Sequence, residues 1–119
     1  MILIFKIYTT MTNALVISNG TVNRMMVIAQ RTGNELVAAT KAMMIESLKE
    51  KLRNGVAHFL YIKKDGTIRE AWGTTNAALA NKYTNGNGVS REIFKTTAYF
   101  DIEKSSWRSF RWDSILKVF

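Results

Sequence analysis

The residues best suited to chemistry lie near the end of the chain. Between Lys95 and Phe119 the cations Lys95, Lys104, Arg108, Arg111 and Lys117 are interleaved with Tyr99, Phe100, Trp107, Phe110, Trp112 and Phe119. Alternating cations and rings suit single-stranded nucleic acid, where ammonium and guanidinium groups track phosphates and exposed rings stack on bases. Period two along a strand puts Trp107, Ser109 and Arg111 on one face and Arg108 and Phe110 on the other, so Phe110 belongs to a core and Trp107 to the outside. Trp72, on the strand face that carries Ile68 and Glu70, is a second outward ring. Base stacking and plain packing fit these two tryptophans equally well. The candidate binding set is Lys95, Lys104, Trp107, Arg108, Arg111, Lys117 and Trp72.

Catalytic machinery is thin by comparison. Hydrolysis or group transfer needs a base beside a nucleophile, paired carboxylates or clustered metal ligands. His58 is the only histidine, and it sits in an apolar strand with no carboxylate cluster, which marks it as a packed residue and not a base. Asp65 belongs to a turn, and Asp101 and Glu103 flank another. The absence of cysteine excludes a disulfide framework, a thiolate metal site and a cysteine nucleophile. The stretch Asn85-Gly86-Asn87-Gly88 offers backbone amides but lacks the preceding strand and following Lys-Ser or Lys-Thr of a phosphate loop. The expectation is a protein that is not an enzyme and holds no cofactor or metal.

The elements that must position these residues are legible from periodicity. The chain has 119 residues, enough for one domain, 1–119. Within it, 1–20 reads as an N-terminal strand (Met1 to Tyr8) and a turn at Asn19-Gly20. Residues 21–54 read as two helical segments divided at Arg31-Thr32-Gly33-Asn34. The second, Glu35 to Leu52, is amphipathic through Leu36, Val37, Ala38, Met44, Ile45, Leu48 and Leu52; Asn34 caps its start and Asn54-Gly55 ends it. From 55 to 119 the period is two. Val56 to Lys63 and Thr67 to Gly73 form a hairpin about Lys64-Asp65-Gly66, and Ile93 to Asp101 and Ser106 to Arg111 form a second. Thr74 to Glu92 is a long loop with a short turn near Ala77 to Ala80. A turn at Trp112 to Leu116 leads to a last strand at Lys117 to Phe119. Short strands at this spacing describe a small antiparallel barrel of about five strands.

On the first hairpin, Ala57, Phe59 and Tyr61 share one face and His58, Leu60 and Ile62 the other, and neither is polar. Barrel interior covers one; the amphipathic helix, the N-terminal strand or a second subunit is expected on the other. The architecture is therefore α+β, a helical hairpin packed on the barrel.

The run from Phe59 through Lys64-Asp65-Gly66 and Arg69-Glu-Ala-Trp72-Gly-Thr-Thr-Asn76, with Tyr99-Phe-Asp-Ile-Glu-Lys-Ser-Ser-Trp-Arg-Ser-Phe110, resembles a family of short proteins of gut bacteria and their phages. That resemblance implies an SH3-like β-barrel and no particular activity. The segment Arg108-Ser-Phe110-Arg111-Trp-Asp113-Ser-Ile115 is also similar to the Arg-x-Phe-Arg-x-Asp-x-Ile signature of WYL domains of bacterial transcription regulators, which are SH3-like barrels implicated in nucleic-acid or ligand sensing. Ala98-Tyr99-Phe100 stands where that family has its Trp-Tyr-Leu triplet.

Charge sets the expected partner. Seventeen Lys plus Arg against nine Asp plus Glu give a formal net charge of +8, which attracts polyanions. The apolar N-terminal stretch is broken by Lys6 and is neither a membrane span nor a signal peptide. The leading expectation is a small basic phage or mobile-element protein, cytoplasmic, that binds nucleic acid with little sequence preference. Two alternatives are a binder of a small nucleotide ligand, using Arg108, Arg111 and the Thr74 to Glu92 loop, and a homo-oligomeric or partner-binding module with Trp72, Trp107 and the first strand in its interface.

Overall fold

A computed structural model describes residues 18–83 and 92–119. Its first helix, α1 (Asn19–Thr32), starts at Ser18, whose side chain accepts a hydrogen bond from the Thr21 amide. Asn19-Gly20, read as a turn, is therefore the first turn of the helix, because the serine ahead of it satisfies an otherwise orphaned amide. The helix stops at Gly33, which takes φ +68° and returns its amide to the Ala29 carbonyl at 2.9 Å. A side chain is disfavoured in that left-handed conformation. Asn34 then caps α2 (Glu35–Asn54) by accepting from the Val37 amide at 2.9 Å. Residues 1–17, including the expected N-terminal strand, lie outside the described residues.

The buried stripe of α2 is Ala38, Ala39, Ala42, Ile45, Leu48 and Leu52. Leu36 and Met44, expected in it, are exposed and half-buried. The stripe turns onto the alanines because α1 packs alongside, and small side chains let the two helices and the sheet approach one another.

After α2 come β1 (Ala57–Ile62) and β2 (Ile68–Thr74), joined through Lys64-Asp65-Gly66 as expected. The Thr74 to Glu92 stretch is not loop throughout. Asn76 accepts from the Ala78 and Leu79 amides and starts a helix, α3 (Ala77–Tyr83). Residues 84–91, with the Asn85 to Gly88 glycine-rich stretch, lie outside the described residues. A short 3₁₀ turn (Glu92–Phe94) precedes β3 (Thr96–Asp101), which begins three residues later than expected. Glu92 is drawn to the helices by Arg24 and Lys49, and its carbonyl takes the Lys95 amide, so the chain turns there instead of extending. β4 (Ser106–Arg111), a 3₁₀ turn (Trp112–Ser114) and β5 (Ile115–Val118) complete the fold. The last strand starts two residues earlier than expected.

The sheet order is β4-β3-β2-β1-β5, with antiparallel neighbours throughout. It is an α+β arrangement, a helical hairpin packed on a five-stranded antiparallel sheet, as expected. The core corrects one expectation. Barrel interior and helix do not cover opposite faces of β1; they meet on the same face. Ala57, Phe59 and Tyr61 join Ala71, Tyr99, Phe110, Trp112 and Ile115, together with Met25 and Ile28 of α1 and the α2 stripe, in one buried cluster. Tyr61 and Tyr99 share a buried hydroxyl–hydroxyl hydrogen bond of 2.7 Å, and the Phe59 ring meets Tyr99 edge-on at 4.9 Å. Gly73 belongs to this packing, since any β-carbon there would run into the Tyr99 ring. His58, Leu60 and Ile62 face the other way, and none of the described helices lies over them.

Candidate nucleic-acid interface

Directly opposed residues in an antiparallel pair share a face, so the register defines what accompanies His58, Leu60 and Ile62. His58 faces Trp72, Leu60 faces both Glu70 and Lys117, and Ile62 faces Ile68. Further along the sheet, Thr74 faces Phe100, and Phe100 faces Trp107. Period two along β4 adds Ser109 and Arg111. Four of the seven candidates, Trp72, Trp107, Arg111 and Lys117, thus lie on the outer sheet face.

The centre of that face is a stack of three rings contributed by three strands. The His58 imidazole lies between Trp72 of β2, at 4.3 Å between centroids and 7° between planes, and Phe119 beyond β5, at 4.0 Å and 9°. Glu70 holds His58 through its Nε2 at 2.9 Å. Phe119 is fixed through its backbone, its amide donating to the His58 carbonyl at 3.0 Å and its carbonyl accepting from Lys51 Nζ at 2.7 Å. Lys117 Nζ sits 4.5 Å from the Phe119 ring centre, a cation–π contact that closes this end of the stack. At the other end, among the described residues, only His58 stacks on Trp72. Around the stack, Ile62 and Ile68 are exposed, at 40% and 62%.

Trp107 packs its ring edge-on against Phe100 at 5.6 Å. Its indole Nε1 is buried and has no hydrogen-bond partner among the described residues. Lys104 is exposed in the β3–β4 turn, where its amide donates to Asp101 Oδ1.

The remaining candidates stand elsewhere. Arg108 points inward and forms an ion pair with the buried Asp101 carboxylate, N···O 3.1 Å, so its charge is committed to holding β3 and β4 together. Lys95 lies behind the sheet beside α1, with its Nζ 6.0 Å from the Trp112 ring centre and its backbone at φ 62°. Arg111 belongs to a junction as well as to the outer face. Asp113 takes Arg31 Nη1 at 2.8 Å and Arg111 Nε at 3.2 Å, and the Asp113 carbonyl takes Lys41 Nζ at 2.8 Å. Burial pushes the Asp113 carboxyl up, but the hydrogen bonds from Arg31 and Arg111 outweigh it and hold the group below the usual carboxylate range.

Two constellations escape a reading of the sequence alone. One is the ring stack, because His58 and Phe119 carry no motif, although the hairpin turn at Lys64-Asp65-Gly66 already sets His58 opposite Trp72. The other is a clasp between helices and barrel. Arg24, 3% exposed, meets Glu46 at 2.6 Å and Glu92 at 3.4 Å, and Lys49 joins Glu92. A hydrogen bond from Thr21 and the nearby Arg24 and Lys49 charges hold the Glu46 carboxyl low against the opposing effect of burial. Nothing in the spacing of 24, 46 and 92 announces this. Among the described residues no three His, Asp or Glu side chains are grouped as a metal site, and no helix is long and apolar enough to cross a membrane.

Comparison with known proteins gives the fold a family context. Residues 45–116 match the family model WYL_2, described as an Sm-like SH3 β-barrel fold. Over 87 residues the chain is 32% identical to an uncharacterized 11.5 kDa protein in the Gp31-cd intergenic region of Enterobacteria phage T4, a match covering 71% of this chain and 85% of that protein. No solved structure matches it.

Proposed function

Taking as premise that the chain belongs to the WYL_2 family of Sm-like SH3 β-barrels, we propose that it binds single-stranded nucleic acid on the outer face of its sheet, without sequence selectivity and without catalysis. The observation that carries the reading is the fixed ring stack that includes Trp72 and is closed by Lys117, with Trp107 and Arg111 on the same side of the sheet by register. A base laid against Trp72, which is half-buried, extends an existing stack, so little side-chain ordering remains to be done on binding. Lys117 and Arg111 stand on the same face to meet phosphates, and the net charge of +8 draws the strand in.

The reading as a binding protein is supported by how the acid–base groups are used. His58 is held between two rings, and Asp101 and Asp113 are each bound by arginine. The Arg108 pairing also weighs against a small-ligand pocket built on that residue.

The test is a titration of a short mixed-sequence single strand at several salt concentrations. Log affinity falls with log salt by about 0.7 per phosphate neutralised, and Lys117→Ala lowers that slope by somewhat under one. Absence of measurable binding at about 50 mM salt, where electrostatic binding is strong, overturns the proposal.

A further inference from the structure

An open cleft of about 510 Å³ lies where the end of β1 and the turn after it approach the end of β4. Its floor is Tyr61 and Phe110, both buried, and its rim carries Lys63, Lys64 and Arg111 from two different elements, with the Ser109 and Ser114 hydroxyls between them. A volume of this order suits a small ligand. Three cations against the single carboxylate of Asp113 give the lining a net charge of +2, three minus one. That carboxylate is already doubly bonded, to Arg31 at 2.8 Å and to Arg111 at 3.2 Å. Should Arg111 turn toward a ligand, Asp113 keeps Arg31 and is not left bare. Lys64 pairs with no carboxylate among the described residues, and Lys63 only reaches the exposed Asp65 at 3.9 Å.

We infer that this cleft is a site for a phosphate monoester. A dianionic phosphate balances a lining of +2, which a singly charged carboxylate or phosphodiester does not. Arg111 presents a planar fork matched to two phosphate oxygens, and the lysines act as point charges beside it. The aromatic floor accepts a flat or apolar group attached to the phosphate. The same chemistry is offered by a free mononucleotide and by the phosphorylated end of a strand. The site shares Arg111 with the outer face proposed above, whereas Lys63, Lys64 and the cleft floor belong to it alone, so loss of binding in the Lys63→Ala with Lys64→Ala variant separates the two.

The experiment titrates the intact chain with inorganic phosphate, with adenosine 5′-monophosphate, and with one oligonucleotide bearing either a 5′-phosphate or a 5′-hydroxyl, all at constant ionic strength. Binding is followed by calorimetry and by the backbone amide resonances of Ser109 and Ser114. Saturable binding of phosphate or the mononucleotide, weakened about tenfold or more by Arg111→Ala and by Lys63→Ala with Lys64→Ala, supports the site with a free ligand; tenfold is what one charge-assisted hydrogen bond contributes. If only the 5′-phosphorylated strand gains affinity over its hydroxyl counterpart, and loses that gain in the same variants, the site stands and its source is a strand end. Arg53→Ala, an exposed arginine on the last turn of α2, is the control. Equal weakening by Arg53→Ala overturns the inference, because diffuse charge then explains it. So does the absence of any saturable response to all of the phosphate-bearing probes, which leaves outer-face binding of the hydroxyl-ended strand to be judged on its own result.

Discussion

The two faces of β1 begin as equals and end in opposite roles. Ala57, Phe59 and Tyr61 are 3%, 0% and 4% exposed under the α2 stripe, whereas His58, Leu60 and Ile62, as apolar to the eye, stay half-buried or exposed. The inner face is closed by the helical hairpin, whose alanines let it sit close, and its burial removes several large rings from water, which is the main favourable contribution to folding. On the outer face, the described residues place a stack of three rings, Trp72, His58 and Phe119. The inner face stabilises the fold, and the outer face is the one proposed above to bind.

The difference is broken most severely by Leu48→Asp. Leu48 is fully buried between α2 and the inner face, and an unpaired carboxylate there costs more than about 4 kcal/mol, a large part of a small domain's stability. Loss of the cooperative urea or thermal transition is the expected result. An unchanged thermal midpoint means that α2 does not seal this face.

The next effect concerns the clasp that holds the helices over the inner face. Arg24→Met removes a buried guanidinium from Glu46 and Glu92, and because both carboxylates retain access to water the loss is at the low end for broken buried pairs, about 3 kcal/mol. The same groups set the acid limit. Glu46 and Asp113 are held below their ordinary values of 4.5 and 3.8, so the stability they contribute is complete above those values and is lost as pH falls through the lower folded-state values. A urea midpoint flat above about pH 5 and falling below about pH 4 is expected, with a shallower fall in Glu46→Gln. A midpoint that rises on acidification contradicts the assignment.

How much of this was legible in the sequence follows the range of the interactions. The helix break at Gly33, the Asn34 cap, the Lys64-Asp65-Gly66 hairpin and β4 depend on local backbone chemistry and stand at or within a residue of their expected places. Period two also gave the inward Phe110 and outward Trp107. Failures came where distant residues decide. Glu92 is pulled into a turn by Arg24 and Lys49, the α2 stripe rotates because α1 lies beside it, and Asn76 starts a helix in a stretch dominated by later turn formers. Of the candidate residues, register gathered Trp72, Trp107, Arg111 and Lys117, while Arg108 is withdrawn by its buried partner Asp101 across the hairpin and Lys95 by the fold behind it.

On the outer face the effects move from stability to binding. Trp72→Ala is expected to weaken single-strand binding by about 1 to 3 kcal/mol while leaving the salt slope unchanged, since stacking releases no counterions. Its thermal midpoint changes less than that of the Arg24 variant, because Trp72 is only half-buried. A variant that loses slope together with affinity, or one that unfolds, shows that Trp72 serves the fold and not the ligand, and the contrast between the two faces fails.

The smallest expected effect sharpens the same contrast at the middle of the stack. His58→Gln keeps a group that can reach Glu70 but removes the ring that stacks on Trp72 at 4.3 Å and Phe119 at 4.0 Å. Aromatic contacts contribute about 0.5 to 1.5 kcal/mol each beyond their area, and this face is open to water, so the expected destabilisation is about 1 kcal/mol. For a domain of this size that is roughly a 4 °C fall in thermal midpoint. Affinity for a single strand should hardly change, because Trp72 is still there and the cations are untouched. If a folded His58→Gln protein loses binding while Trp72→Ala retains it, the imidazole itself meets the ligand, and the stack is a contact surface at its centre instead of at its Trp72 end.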